Sequence, residues 1–184
     1  IIGFLKEIEK LKFVKREIYL SNDVKENSAE HSWHMCLMLM AFEKEFKDID
    51  FLKAYKMFLI HDLVEVYAGD VCAFDKKNKV GQDEKENQAA NKLFSMLPDD
   101  LKDEFFSLWH EYEEKKTREA RLTQAFDKIQ PTIQQILSDG KSLKEWKVTH
   151  QEVFDYKKEM IENDEITKKI FERLFEEIKK IDLP

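Results

Sequence analysis

One stretch of the sequence combines many apolar side chains with side chains that can bind protons or metal ions. Residues 51–67 place apolar groups on every side of a predicted helix, which is typical of a buried helix. The same helix carries His61, Asp62 and Glu65. Ionised carboxylates are rarely buried without a partner, because losing their hydration costs several kcal/mol. Since residues three and four positions apart are neighbours on a helix, we predict that these side chains face one cation, which we interpret as a metal ion.

The helices that would position these side chains have recognisable ends. Asp50 is a predicted N-cap and Gly69 a predicted C′ residue, so the helix that carries His61 is expected to span the residues between them. Asn27 and Glu30 form a capping-box pattern that opens an earlier helix, which continues to about residue 46. The first turn of that helix contains a second histidine, at position 31. We therefore predict two buried helices that both carry histidine.

A further acidic candidate lies on a later helix. Asp127 falls within a stripe of apolar residues spaced alternately four and three apart: Leu122, Phe126, Ile129, Ile133 and Ile136. Pro131 lacks the N–H that would bond the carbonyl of residue 127, so we predict a kink beside Asp127. Considered alone, Asp127 has an ordinary structural explanation, because it could pair with Lys128 or Arg121. The interpretation as a metal site depends on the whole set.

The composition predicts an all-α protein with one domain over residues 1–184. The chain has only 4 glycines and 3 prolines, and alternating β-branched residues are scarce. Its two cysteines, Cys36 and Cys72, form neither a zinc motif nor a disulfide framework, which indicates a reducing, cytoplasmic compartment. The longest apolar run, residues 35–42, is too short to cross a bilayer, so we expect no membrane partner.

Charge restricts the classes of ligand. A formal net charge of −7 argues against binding long nucleic acid through a basic surface. It is compatible with a small phosphorylated substrate, for which a metal and one or two cations suffice. A forked grip on phosphate would come from a partner subunit or from one of the few arginines, which are Arg16, Arg118, Arg121 and Arg173. Residues 70–81 form a long lysine-containing segment after the polar cluster, and we predict a substrate loop there.

Three segments taken together resemble the HD-domain phosphohydrolases. Glu30-His31-Ser32 opens a helix, a later run reads His-Asp-Leu-Val-Glu-Val-Tyr-Ala-Gly-Asp from His61 to Asp70, and Asp127 follows in the third segment. The set is most similar to the 5′-deoxynucleotidase branch, which includes the proteins called HD domain-containing protein 2. The similarity extends over residues from about 4 to 138. Three segments in this order are specific, whereas a His-Asp pair alone is not.

The resemblance implies a role for individual side chains. It implies a single-domain helical bundle in which one divalent ion (Mn, Co, Fe, Mg or Zn) is bound by His31, His61, Asp62 and Asp127. It implies that Glu65 is the acid/base residue and that Asp70 touches the sugar or helps to orient the leaving group. Arg16 would hold the phosphate, with Glu111 as a further substrate-binding candidate. His34 is not a family ligand and is interpreted as a histidine of the core or behind the ligands.

The implied activity is hydrolysis of (deoxy)nucleoside 5′-monophosphates to nucleoside and phosphate. Two alternatives stay open: hydrolysis of another nucleotide or phosphoester at the same metal centre, and a non-catalytic helical interaction module. Glu17 stands where the characterised deoxynucleotidases have a tryptophan that disfavours a 2′-hydroxyl, and Tyr19 is the candidate substitute. We also expect a homodimer, because this family commonly forms one and the helices have apolar faces.

Overall fold

The computed structural model describes residues 1–75 and 77–184, and helices dominate them. Position 76, within the predicted substrate loop, lies outside the described residues. The amino-terminal region forms helix α1 (Ile2–Glu7), a 3₁₀ helix (Ile8–Phe13) and an antiparallel hairpin of β1 (Lys15–Tyr19) and β2 (Lys25–Asn27). The all-α class is confirmed. The small hairpin was not expected from the sequence, because KREIY in β1 lacks the apolar alternation by which strands are recognised.

Helix α2 (Ser28–Phe42) begins as the sequence predicts. The Asn27 side chain accepts a hydrogen bond from the Glu30 amide, and the Glu30 side chain accepts one from the Asn27 amide, so the predicted capping box is confirmed. A short 3₁₀ helix (Glu43–Glu45) follows. The cap brings the first turn of α2 against the hairpin, which places His31 in the interior, where it is fully buried.

Helix α3 (Phe51–Ile60) starts at the predicted cap but ends earlier than expected. Asp50 accepts a hydrogen bond from the amide of Lys53. After Ile60 the backbone tightens, because the amides of Leu63 and Glu65 bond carbonyls three residues back at 3.0 Å each. Helix α4 (Glu65–Ala68) then resumes and ends at the glycine of position 69, with φ at +75°. The predicted continuous helix to residue 69 is therefore wrong, and 3₁₀-type bonding explains the interruption.

The remaining helices pack around the break between α3 and α4. They are α5 (Gln82–Phe94), α6 (Asp99–Glu114), α7 (Arg118–Leu137), α8 (Lys141–Glu145), α9 (His150–Ile161) and α10 (Glu165–Ile178). Helix α7 is central, since it packs against α2, α3, α6, α9 and α10. Its long buried face holds Asp127, and the helix continues through Pro131.

Two apolar clusters meet along α3. Met57 packs with Leu93, Phe94 and Trp109, whereas Phe58 packs in a second cluster with side chains of α2 and α7. The carboxyl end of α3 therefore lies between both clusters, and its polar side chains are held by packing on either side. Burial is not complete around α3, because Leu52 and Leu59 are exposed. None of the described helices has the length and apolar character needed to cross a membrane.

Candidate metal centre and its cavity

Side chains from three helices converge at the end of α3. His31 comes from α2, His61 directly follows α3, and Asp127 comes from α7. One ligand atom from each lies within 4.8 Å of the other two, and all three residues are buried. Imidazole nitrogens combined with a carboxylate oxygen suit Mn²⁺, Fe²⁺, Co²⁺ or Zn²⁺. The sequence separates these residues by 30 to 96 positions, and only the packing of α2 and α7 against α3 brings them together.

The ring of His61 is oriented to bind an ion through Nε2. Its Nδ1 donates to the carbonyl oxygen of Phe58 at 2.9 Å, which leaves the lone pair on Nε2. This Nε2 atom is buried and has no hydrogen-bond partner within the described part of the chain. Asp62 Oδ1 lies 3.1 Å from it. Two electron-rich atoms facing each other in the interior are stabilised by a cation between them, so the donor set fits a divalent metal.

Arg16 lies among the carboxylates of this centre. Its Nη1 lies 3.0 Å from Asp62 Oδ2 and 3.9 Å from Asp70 Oδ1, and its Nη2 lies 3.9 Å from Asp127 Oδ1. Burial lowers the pKa of Arg16, but the charges of Asp62, Asp70, Glu65 and Asp127 raise it above its ordinary value. The guanidinium is therefore a permanent charge at the edge of the metal ligands. Strand β1 positions it by directing this side chain inward.

Two carboxylates of the site are driven towards opposite protonation states. Burial, and then the charges of Asp62 and Asp70, raise the pKa of Glu65 well above its ordinary value. Burial also acts on Asp127, but the charge of Lys128 holds its pKa well below the usual range. The nearest contacts are 2.8 Å from Lys128 Nζ to Oδ2 and 3.1 Å from the His31 ring to Oδ1. A carboxylic acid and a carboxylate in one cavity allow acid catalysis beside ligand binding.

Glu65 and Asp70 both line the cavity beside Arg16. The Ser28 hydroxyl donates to Glu65 Oε2, which fixes the carboxyl group of Glu65 at the start of α4. Burial raises the pKa of Asp70, and Arg16 opposes that effect. The structure thus brings every predicted metal and catalytic residue to one place, together with the predicted phosphate-binding arginine.

A hydrogen-bond network behind His31 fixes which ring nitrogen faces the site. Gln130 Oε1 lies 2.7 Å from His31 Nδ1, while Gln130 Nε2 donates to Glu26 Oε1 at 2.6 Å and approaches His34 Nδ1 at 3.1 Å. Because the amide nitrogen faces two acceptors, the amide oxygen accepts from His31 Nδ1–H. The lone pair of His31 Nε2 is then directed at the metal centre. His34 lies behind the ligands, in agreement with its predicted place.

Removing this network is expected to weaken metal binding without removing a ligand. Gln130→Met keeps a similar volume but leaves His31 Nδ1 without its acceptor, so the affinity for Mn²⁺ should fall about 10- to 100-fold. Isothermal titration calorimetry measures the change. Gln134→Met is the matched control, because Gln134 Nε2 also contacts His34 but touches none of the metal ligands. Equal affinities of the two variants would contradict the orienting role.

The centre opens into a cavity of about 220 Å³, a size suited to a small molecule. Glu86 and Glu113 contribute acidic side chains to its lining, and Lys128 and Lys157 contribute basic ones from α7 and α9. Aromatic groups complete the lining: Phe74, Tyr112, Trp146 and Tyr156. No motif in the sequence pointed to Lys157, Glu26 or the Gln130 network; the only signal is the position of Glu26 next to the capping box.

Two expectations about substrate contacts are corrected. Glu111 is not brought to the cavity, because its carboxylate pairs with Lys53 and accepts from the Thr117 hydroxyl. The next residue on α6 is the tyrosine whose ring packs on His61, so position 111 faces a different side of the helix. Tyr19 is also directed elsewhere, since its hydroxyl donates to Glu145 at 3.1 Å.

Comparisons with known proteins agree with this geometry. The family model described as HD domain matches residues 8–170. The 5′-deoxynucleotidase HDDC2 of Dictyostelium discoideum is 35% identical over 141 residues, covering 72% of this chain and 74% of that protein. HDDC2 of Xenopus laevis is 32% identical over 136 residues, covering 73% and 67%.

A solved structure extends the comparison over the whole chain. The crystal structure of a predicted metal-dependent phosphohydrolase from Magnetospirillum magnetotacticum superposes with a TM-score of 0.89 at 31% identity. The superposition covers 100% of this chain and 96% of that one. Since the family model covers most of the sequence and the convergent His and Asp side chains lie within it, the protein belongs to the HD domain family.

Proposed function

We propose that the protein is a metal-dependent phosphohydrolase that cleaves (deoxy)nucleoside 5′-monophosphates to nucleoside and phosphate. The observation that carries the proposal is the buried convergence of His31, His61 and Asp127 beside the Arg16 guanidinium. The relatives from Dictyostelium and Xenopus are named 5′-deoxynucleotidases, which supports the substrate class. The similar Magnetospirillum structure, described as a predicted metal-dependent phosphohydrolase, supports the type of reaction.

His31, His61, Asp62 and Asp127 would hold the metal. A divalent ion bound there supplies a Lewis acid that neutralises phosphoryl oxygens and lowers the pKa of water. The mixed donor set does not select among Mn, Co, Fe, Mg and Zn. Asp62 connects this group to the phosphate-binding side, because one of its oxygens faces His61 and the other bonds Arg16.

Arg16 would bind the phosphate. Its two terminal nitrogens face different carboxylates, so the planar group can bridge oxygens on a tetrahedral anion while staying fixed in orientation. Because the guanidinium is buried, its attraction for a dianionic phosphate is weakly screened by solvent. The substrate phosphate is thereby directed between Arg16 and the metal ligands.

Arg16→Lys is expected to lower kcat/KM by about 10²-fold, because an ammonium cannot make the paired contacts of the guanidinium. Steady-state phosphate release with Mn²⁺ measures the loss. Arg118→Lys is the matched control, since Arg118 is exposed and its ion pair with Asp48 is long, at 3.7 Å. If Arg16→Lys kept wild-type activity, Arg16 would not be the phosphate ligand.

Glu65 would supply the proton that the reaction needs. Its raised pKa keeps the carboxyl group protonated at a higher pH than an exposed glutamate. The protonated group can donate to the 5′-oxygen of the leaving nucleoside, and the resulting carboxylate can accept a proton from the attacking water. Asp70, which faces Arg16 across the cavity, would contact the sugar or orient the leaving group.

A phosphate-release screen of nucleotides against divalent metals tests the function. Inorganic phosphate and a nucleoside are the expected products from 5′-monophosphates with Mn²⁺ or Co²⁺. Pyrophosphate or a nucleotide product would instead indicate another phosphoester substrate. If no phosphoester were cleaved with any metal and the normally folded protein kept no metal after dialysis, the non-catalytic interaction module would be the better interpretation.

We also propose that the protein forms a homodimer and is located in the cytoplasm. Trp33, Leu37 and Met40 are spaced four and three residues apart on α2, and all three side chains are largely exposed. An exposed apolar stripe of this kind is typical of a surface that a second subunit covers. Cys36 and Cys72 are free thiols, which supports a reducing compartment.

A further inference from the structure

Lys157 is a buried lysine to which the proposed reaction gives no role. It lies on α9, beyond the segment that carries the recognisable motifs, and only 2% of its surface is exposed. Its amine donates to Thr132 Oγ1 at 2.5 Å and to Gln135 Oε1 at 2.8 Å. Both partners are neutral oxygens. A lysine is almost never buried without a counter-charge, so its retention in the interior calls for an explanation.

The position of Lys157 relative to the metal ligands determines which part of a bound substrate it can contact. Its two partners lie on α7, five and eight residues after Asp127. With a helix rise of about 1.5 Å per residue, they are about 8 to 12 Å along the axis from Asp127. Lys157 also lines the cavity. A phosphate held between Arg16 and the metal ligands would lie beside Asp127, which leaves the attached nucleoside as the part of the substrate that would extend along α7 towards Lys157.

The surroundings of Lys157 suit a flat heterocycle. Tyr156 and Phe74 line the cavity with their ring centroids 5.4 Å apart, and the indole of Trp146 lines it as well. Aromatic side chains provide stacking surfaces for bases of any sequence. A lysine amine has three hydrogens when charged, of which two are used by Thr132 and Gln135, so one remains for a ligand acceptor.

We propose that Lys157 is a substrate-binding residue that donates a hydrogen bond to a carbonyl oxygen or ring nitrogen of the nucleobase. This inference rests on the proposed nucleotidase function. It assigns a binding residue to the nucleobase, which is the part of the substrate that lies away from the phosphate. Burial, and then the charge of Lys128, lower the pKa of Lys157 to about 7. Only the charged amine has the third hydrogen, so the contact with the base is expected while Lys157 is protonated.

The test compares substrates with and without a base. In Lys157→Met, KM for deoxynucleoside 5′-monophosphates should rise about tenfold with kcat unchanged, because one hydrogen bond to the bound ligand is lost. KM for 2-deoxyribose 5-phosphate, which has the same phosphate and sugar but no base, should not change. Lys158→Met is the matched control, because the neighbouring lysine is exposed on α9. Methionine replaces the buried amine with an apolar group of similar length, and thermal unfolding checks the fold.

The outcomes separate this inference from the proposed function. An equal loss on both substrates, or no loss on either, would overturn the role of Lys157. Equilibrium dialysis with deoxynucleoside monophosphates makes the test independent of turnover. If the wild-type protein binds these nucleotides without cleaving them, the nucleotidase proposal fails, yet about tenfold weaker binding by Lys157→Met still supports the base contact. If wild-type protein binds none of them, both fail. Should Lys157→Met not fold, Lys157→Gln serves in the same comparison.

Discussion

His61→Ala is expected to lower metal-stimulated phosphate release by about 10³-fold or more, because it removes a ligand from the ion on which the chemistry depends. The ring of His61 presents a buried Nε2 with no hydrogen-bond partner among the described residues, so this atom is available to bind the ion. Bound manganese per protein after dialysis should fall together with kcat/KM. Elemental analysis and steady-state kinetics on the same preparation measure both.

The control for this variant is His110→Ala. His110 is exposed on α6 and stacks on Phe106, so its loss should leave metal content and activity unchanged. Full activity of His61→Ala, with manganese retained, would contradict the assignment of the metal centre. A fall in activity with unchanged metal content would point instead to damage outside the ligand set, and circular dichroism would identify it.

Glu65→Gln is expected to lower kcat by about 10²- to 10⁴-fold while metal content stays unchanged. The substitution preserves size but removes the acidic proton. The pH profile provides a second measurement, because a general acid works only while it is protonated. In the wild-type enzyme kcat should fall as pH rises through the raised pKa of Glu65, and this alkaline limb should be absent from the variant.

Glu111→Gln is the informative control for Glu65→Gln. The family resemblance made Glu111 a substrate-binding candidate, whereas its carboxylate pairs with Lys53 in the structure. We therefore expect Glu111→Gln to retain the activity and the pH profile of the wild-type protein. A loss of activity comparable with that of Glu65→Gln would indicate that Glu111 contacts the substrate, which would contradict its position in the structure.

Local sequence signals predicted the helix starts well. Asn27 with Glu30, and Asp50, cap the helices that the pattern assigned to them, because caps depend on hydrogen bonds within a few residues. The tightening after Ile60 was not predictable in the same way. The sequence continues its apolar run there, and the change to bonds three residues back occurs where the chain lies between two apolar clusters.

Only those residues of the site that belong to recognisable sequence motifs could be predicted. His31, His61, Asp62 and Asp127 fall in recognisable segments, and the structure brings them together. Gln130 and Lys157 carry no motif, because their roles come from contacts between helices remote in the sequence. The motifs that the sequence alone revealed end before residue 138, yet α8 and α9 supply part of the cavity wall. To predict this part of the cavity lining, one must know how α9 packs on α7. The spacing of apolar residues in the sequence does not give that packing.

The position of Arg16 affects the order in which folding and metal binding can occur. Several acidic groups crowded in an interior repel one another, and small zinc domains resolve that conflict only by folding around their ion. Here a guanidinium encoded in the same chain already offsets part of the repulsion. The polypeptide can therefore reach its native state first and acquire its metal afterwards, so that supply of the ion governs when catalysis starts rather than whether the chain folds.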